Sequence, residues 1–425
     1  MDLAEGVAVN DVRALEALIG TTVGDDLDAY RLRMVNRQIA VLRERSSFYQ
    51  CLLAGYPLSL RSLDELAQLP FTTADDLRGQ ESAFCCVPAS AVQRIVTLRS
   101  SGSSGAAKRL MFSAADLERT VAFFAAGMQC MTGPGERVMI FMPATQDGIS
   151  DLLRRGLCRF GAVPYIYGPV TDMADAIRAC SDFQPDCMVG LPSQMRQLSL
   201  LAPSIAPRTL LLSADYIAES LCDMIRRQWN CEIFRHWGMT ETGYGGAVEC
   251  PAHAGWHIRH DELLLEIIDP ENGAVLPPGQ RGELVLTTLR REAMPLLRYR
   301  TGDIAALETG SCACGSRWPR LRGVYGRLTS AIPLPDGRQL SIHLLDELLF
   351  ADRDVLDFTA DLRANRLGIS ILTQDQTALA RIQQQLSARF PDLDIAVNAG
   401  KGFASTGVAK RRIIQEDVRD ESGQE

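Results

Sequence analysis

The chain has no apolar run approaching the ~20 residues that a membrane-spanning helix needs. Its first residues, MDLAEGVAVNDV, lack the basic-then-apolar order of a signal peptide, so a cytoplasmic location and no membrane partner are expected. An excess of positive charge is missing too. Lys and Arg number 44 against 52 Asp and Glu, a net charge of -8, without the basic clustering of a nucleic-acid surface. No nucleic-acid partner is expected. Nothing points to a disulfide framework, because twelve cysteines in 425 residues without a secretory signal read as reduced thiols. Cys130, Cys158, Cys180 and Cys222 fall in apolar helical stretches and read as packing residues. No internal repeat is visible. What is present, 46% hydrophobic and 23% charged residues, is the composition of a folded soluble protein, long enough for two or three domains.

Residues 100–109, SSGSSGAAKR, place two glycines among four serines and close on a basic pair. Small residues let backbone N–H groups approach an anion, so the first reading is a phosphate cradle. The loop follows Arg94–Leu98, which alternates like a strand, and precedes a helix that Ser113 can cap with Asp116 three residues on. It is not a Walker A loop, since Gly102 would then require Gly at Ala107 and Ser or Thr at Arg109. The dinucleotide fingerprint does not fit either. A flexible Gly/Ser linker is the competing reading.

Residues 25–54 read as one long amphipathic helix, followed by a short helix over 62–68 and another capped by Thr73. After the glycine loop, helices over 114–131, 148–160, 173–183, 193–201 and 217–229 alternate with strands over 137–142, 163–167, 187–189, 209–212 and 231–234. That order implies βαβ units in a parallel sheet, whose ligands bind at strand ends. One such end carries HWGMTETGYGG, residues 236–246, an aromatic, a carboxylate and flexible glycines suited to a base and a metal. A glycine-rich surface turn is the alternative. From Trp256 the pattern turns antiparallel, and PLLRYRTGD then gathers Arg298, Arg300 and Asp303. Asp303 can accept from a ribose diol, or be a turn residue paired with an arginine. A small α+β domain follows from about Gly326 and Arg327, and its last segment, GKGFASTGVAKRRIIQED, carries Lys401 and Lys410.

SSGSSGAAK, HWGMTE and YRTGD, in this order, resemble the phosphate loop and two later motifs of the adenylate-forming acyl-CoA synthetase superfamily. ERSSFY, LPFTTADDLR, EAMPLLRYRTGDIA and CAC are similar to the phenylacetate-CoA ligase branch. The resemblance implies an α/β adenylation domain over 1–326, with parallel sheets and a β-rich subdomain, and a small mobile α+β domain over 327–425. It implies an enzyme in which an aryl or arylacetic carboxylate attacks the α-phosphate of ATP, releasing pyrophosphate, before the thiol of CoA displaces AMP. Ser101, Gly102, Ser103, Ser104, Gly105 and Lys108 then hold the β- and γ-phosphates. Thr240 contacts the α-phosphate and Glu241 holds Mg²⁺. Trp237, where Tyr is more usual, lies with Gly238, Ser213, Ala214 and Asp215 at the adenine, Asp303 at the ribose, and Arg327 just before the hinge. Tyr165, Tyr167, His236 and Gly245 are strand-end positions for the acyl group.

Three further features depart from the family pattern. Leu328, Thr329 and Ser330 stand where an acidic hinge is usual, and Ala107 where proline is common. Gly407 precedes Val408 rather than the adenylation lysine, which is assigned to Lys410 with Lys401 as the alternate. Cys250, His257, Cys312 and Cys314 match the branch's structural zinc knot, with His253 a competing ligand. A homodimer is common in the branch. Two other readings stay open: an adenylating enzyme whose acceptor is a carrier-protein thiol or a cofactor, and a nucleotide-binding sensor that has lost catalysis.

Overall fold

The computed structural model describes residues 13–24, 26–98, 107–328, 331–334, 336–400 and 411–415. The fold is mixed α/β, with a large mixed sheet and a small C-terminal sheet. It divides into two compact units, each drawn from separate stretches of chain. The first comprises Met1–Val138, Ala144–Ile166 and Phe234–Tyr325, the second Met139–Pro143, Tyr167–Ile233 and Gly326–Glu425.

In the first unit the long helix expected over 25–54 is two helices, Leu27–Arg45 and Ser47–Leu52. Ser46 makes the break. Its backbone is extended, and its hydroxyl accepts from the N–H of Tyr49 at 3.3 Å while donating to the carbonyl of Ala83 at 2.7 Å. A serine read only for its neighbours' periodicity hides that long-range partner. Ser46 is fully buried, so Ser46→Ala is expected to cost the full chain about 1–2 kcal/mol in a denaturant melt, the scale of a lost N-cap. The capping expectations at Thr73 and Ser113 hold, each as a reciprocal box with Asp76 and Asp116.

The order strand, glycine loop, helix needs one addition. Lys108–Phe112 is a strand that pairs antiparallel with Arg94–Leu98, matching Leu98 with Lys108. The glycine-rich segment therefore joins the arms of a hairpin, and its basic residue begins the returning strand. The helix Ala114–Met128 follows directly. Farther on, Leu263–Ile268, Gly282–Thr288 and Tyr299–Glu308 form an antiparallel run. The first two are buried at every position, so the side chains on both faces are covered.

The second unit contains the parallel pair Cys187–Gly190 and Thr209–Leu212 with the helices Met173–Phe183, Pro192–Leu201 and Glu219–Trp229. The C-terminal part adds the helix Ile342–Leu349, the helix Thr377–Arg389 and a four-stranded sheet. That sheet runs in the order Asp394–Ala399, Arg366–Leu372, Asp357–Arg363 and Ile413–Gln415. Met139, Leu198, Leu210 and Ile225 share one apolar core with Leu345, Phe350 and Ile382. Among the described residues no helix is long and apolar enough to cross a membrane.

Candidate active site

In the first unit, the strand Glu232–Trp237 ends where the chain turns through Gly238 into a short 3-10 turn, Thr240–Thr242. The turn is closed by Thr242, whose hydroxyl accepts from the Met239 N–H at 3.1 Å and donates to its carbonyl at 2.8 Å. Gly238 is required by close approach, because a Cβ there would run into the carbonyl oxygen of Tyr244. Glu241 is thereby turned inward and only 2% exposed.

A buried carboxylate needs partners. Lys108 forms an ion pair with Glu241 Oε1, and the hydroxyl of Tyr299 donates to the same oxygen at 3.0 Å. The Lys108 ammonium also reaches that hydroxyl at 3.2 Å and lies 5.7 Å from the centre of the Tyr299 ring. Burial pushes the Glu241 pKa up, but the Lys108 charge and the hydrogen bonds from Lys108 and Tyr299 outweigh it, and the net direction is down. Glu241 is held as a carboxylate, a hard oxygen ligand of the kind Mg²⁺ selects. Tyr299 stands inside the YRTGD motif, yet its residue type alone does not single it out. Its role becomes visible only when the strand Tyr299–Glu308 brings it to Glu241.

Asp303 lies on that strand beyond Gly302, and its N–H donates to Thr301 Oγ1 at 3.0 Å. The neighbouring arginines turn elsewhere. Arg298 binds both oxygens of Glu266, at 3.1 and 3.0 Å, and Arg300 binds Glu283 at 2.7 Å. Asp303 receives the indole N–H of Trp237 at 3.0 Å. The residues assigned to base and ribose are thus joined directly. His236 is buried, 6.3 Å from Phe124 edge to face, and its pKa falls to about 4 through burial. A Cβ at Gly245 would strike the ring of Phe123. Tyr165 is 43% exposed on the strand Val163–Ile166.

The remaining assigned residues divide between the second unit and the undescribed segments. Ser213 and Ala214 follow the strand Thr209–Leu212, and Ala214 takes a left-handed φ of 73°. Asp215 accepts from the N–H of Tyr216 at 2.9 Å and from that of Arg411 at 3.4 Å. Tyr167 donates to Asp175 at 2.8 Å, and Arg327 ends the strand Arg320–Arg327. Ser101, Gly102, Ser103, Ser104 and Gly105 lie outside the described residues, as do Lys401, Lys410, Thr329 and Ser330.

A second cluster sits in the β-rich part of the first unit. The ligand atoms of Cys250, His257, Cys312 and Cys314 all lie within 4.8 Å of one another. Cys250 and Cys312 sulfurs are 3.7 Å apart, and Cys314 Sγ is 3.5 Å from His257 Nε2. A tetrahedron with Zn–S of about 2.3 Å and Zn–N of about 2.05 Å has edges of about 3.8 and 3.6 Å, so three thiols and one imidazole fit such an ion. His253 is not in the group; its Nδ1 faces Glu249 at 3.5 Å and its ring packs on Phe234.

Lys108, Glu241 and Tyr299 thus meet at the end of the strand Glu232–Trp237, with Lys108 on a strand of the antiparallel pair Arg94–Leu98 and Lys108–Phe112. Residues 87–289 match the model of the AMP-binding enzyme family. The chain is 31% identical over 322 residues to a phenylacetate-coenzyme A ligase of Thermus thermophilus, covering 71% of each. It is 30% identical over 285 residues to a phenylacetate-coenzyme A ligase of Escherichia coli, covering 63% of each. Among solved structures it is similar to 2-hydroxyisobutyryl-CoA ligase in the postadenylation state. The TM-score is 0.79 at 20% identity, covering 92% of this chain and 89% of that one. The chain belongs to the AMP-binding enzymes, among the phenylacetate-CoA ligase-like, ATP-dependent, AMP-forming ligases.

Proposed function

We propose that this enzyme adenylates an aryl or arylacetic carboxylate and passes the acyl group to CoA. A carboxylate oxygen of the acid attacks the α-phosphorus of ATP, and pyrophosphate leaves. The CoA thiolate then attacks the acyl carbon, and AMP leaves. The observation that carries this reading is the Lys108–Glu241–Tyr299 contact, which joins a cation for phosphate to a carboxylate for Mg²⁺. Bound there, Mg²⁺ would neutralise charge on the phosphates.

In this reading Lys108 and the segment 101–105 hold the β- and γ-phosphates, and Thr240 holds the α-phosphate. Asp303 takes the ribose, and Trp237 with Gly238 takes the adenine. Lys410, with Lys401 as the alternate, completes adenylation. His236 and Gly245, set among Phe123 and Phe124, suit an aromatic acid better than the exposed Tyr165 does. The Cys250, His257, Cys312 and Cys314 group holds structural zinc, because four protein ligands leave no open position for a substrate.

The test is a panel of aryl, arylacetic and aliphatic acids assayed for ATP-dependent pyrophosphate release, with and without CoA. Release with an aromatic acid and thioester formation on adding CoA are expected. Release without any thioester would assign a different acceptor, and no release with any acid would favour a nucleotide-binding sensor.

A further inference from the structure

We propose that Trp237 is a positioning residue for Asp303, fixing through its indole N–H the carboxylate that reads the ribose diol of the nucleotide. This rests on the reading that Asp303 binds the ribose. Trp237 donates to Asp303 Oδ2 at 3.0 Å, and the two residues are only 6% and 5% exposed. A hydrogen bond to an ionised acceptor away from water is among the stronger ones a side chain makes.

Both ends of the bond are held by backbone. Trp237 pairs with Ala247 across an antiparallel bridge, and the N–H of Gly246 donates to its carbonyl at 3.1 Å. Gly246 lies so close that a Cβ there would enter the six-membered ring of the indole, which leaves that ring little freedom to turn. Asp303 sits in a strand, with its N–H bound to Thr301 and the Thr301 hydroxyl bound to the Leu284 carbonyl at 2.7 Å. The carboxylate still has its own torsions, and the indole N–H on Oδ2 restrains them, which helps to orient Oδ1 as well. A phenylalanine at this place has a π face and no donor. Stacking on the base and orientation of the carboxylate are therefore separable functions of one side chain.

Two nucleotides separate them. ATP and 2′,3′-dideoxy-ATP share the base and the phosphates and differ at the diol. Calorimetric Kd values for both are measured with Mg²⁺ on the full chain, its Trp237→Phe and Asp303→Ala variants, and the double variant. Trp237→Phe is expected to weaken ATP about tenfold, the scale of one charge-assisted hydrogen bond, and dideoxy-ATP less than about twofold. Asp303→Ala is expected to abolish the preference for ATP, and the double variant to bind no worse than Asp303→Ala alone. Replacing Trp237 with β-(3-benzothienyl)alanine, which keeps the bicyclic shape and lacks the N–H, is expected to reproduce Trp237→Phe and excludes misfolding as the cause. Equal weakening of both nucleotides would assign Trp237 to stacking or to packing and overturn the proposal. An unchanged preference in Asp303→Ala would remove the ribose reading itself, and the proposal with it.

Discussion

Glu241→Gln is expected to lower acid-dependent ATP–pyrophosphate exchange by about 10²–10³-fold, the range seen when one preorganised group is removed from a charge-stabilising site. The substitution keeps the side-chain shape and the acceptor for Tyr299, and removes the charge. In the wild type, Lys108 and Tyr299 converge on Glu241 Oε1. A neutral amide there offers Mg²⁺ a weak ligand and leaves the Lys108 ammonium, whose side chain is 17% exposed, without its counter-charge.

The control is the second half-reaction. Attack of CoA on a preformed acyl-adenylate releases AMP and needs no metal on the phosphates, so Glu241→Gln is expected to retain it within about threefold, well inside one decade of rate. Equal loss of both half-reactions would mean that Glu241 supports the fold rather than adenylation. Acid titration gives an independent check of sign. The folded pKa of Glu241 lies below its ordinary value of 4.5, so its carboxylate stabilises the fold above that value. That stabilisation is lost as the pH falls through the depressed folded value. Glu241→Gln removes this contribution, and its melting temperature is expected to fall less than that of the wild type on acidification through this window.

Features whose determinants are close in sequence are legible in the chain alone. The capping boxes at Thr73 and Ser113 need only a partner three residues away, and both form. The strand Arg94–Leu98 and the helix Met173–Phe183 follow from short-range periodicity. What escapes a linear reading depends on distant partners. Ser46 breaks a helical pattern because Ala83 is there to accept its hydroxyl. Lys108–Phe112 is a strand because Arg94–Leu98 lies opposite, and five residues between a glycine loop and a helix cap carry little signal of their own. The same holds at the site: Glu241 and Asp303 are visible as motif residues, whereas Tyr299 on Glu241 and Trp237 on Asp303 are pairings across 58 and 66 positions. The two compact units are likewise discontinuous, the second joining residues 167–233 to the chain beyond 325, which periodicity along the chain has no means to show.

Cys312→Ser with Cys314→Ser is expected to lower zinc content from about one ion per chain to near zero, since a tetrahedral site with two ligands removed no longer closes. The consequence for the fold follows from where the ligands lie. Cys250 follows the strand Ala247–Glu249, and His257 stands on the strand Trp256–Ile258. Cys312 and Cys314 lie in the connection between Tyr299–Glu308 and Arg320–Arg327, and Arg320 pairs directly with His257. That connection has short internal bonds, from the Cys312 N–H to the Ser316 carbonyl at 2.7 Å and from the Gly315 N–H to the Cys312 carbonyl at 2.9 Å. An ion held by all four ligands would tie this turn to a strand far earlier in the chain. Binding to the folded state alone stabilises it by about 4 kcal/mol at a thousandfold excess over Kd. Its loss is expected to lower the melting temperature by roughly 5–10 °C. The strand Tyr299–Glu308 runs from this turn back to Tyr299 and Asp303, so the variant is also expected to lose ATP affinity as it approaches its melting temperature. At low temperature, where the fold persists, pyrophosphate exchange is expected to stay within about threefold of wild type, because no ligand of the cluster is shared with the Lys108–Glu241 site. Undiminished zinc in the double variant would refute the site, and equal loss of exchange at all temperatures would refute its structural role.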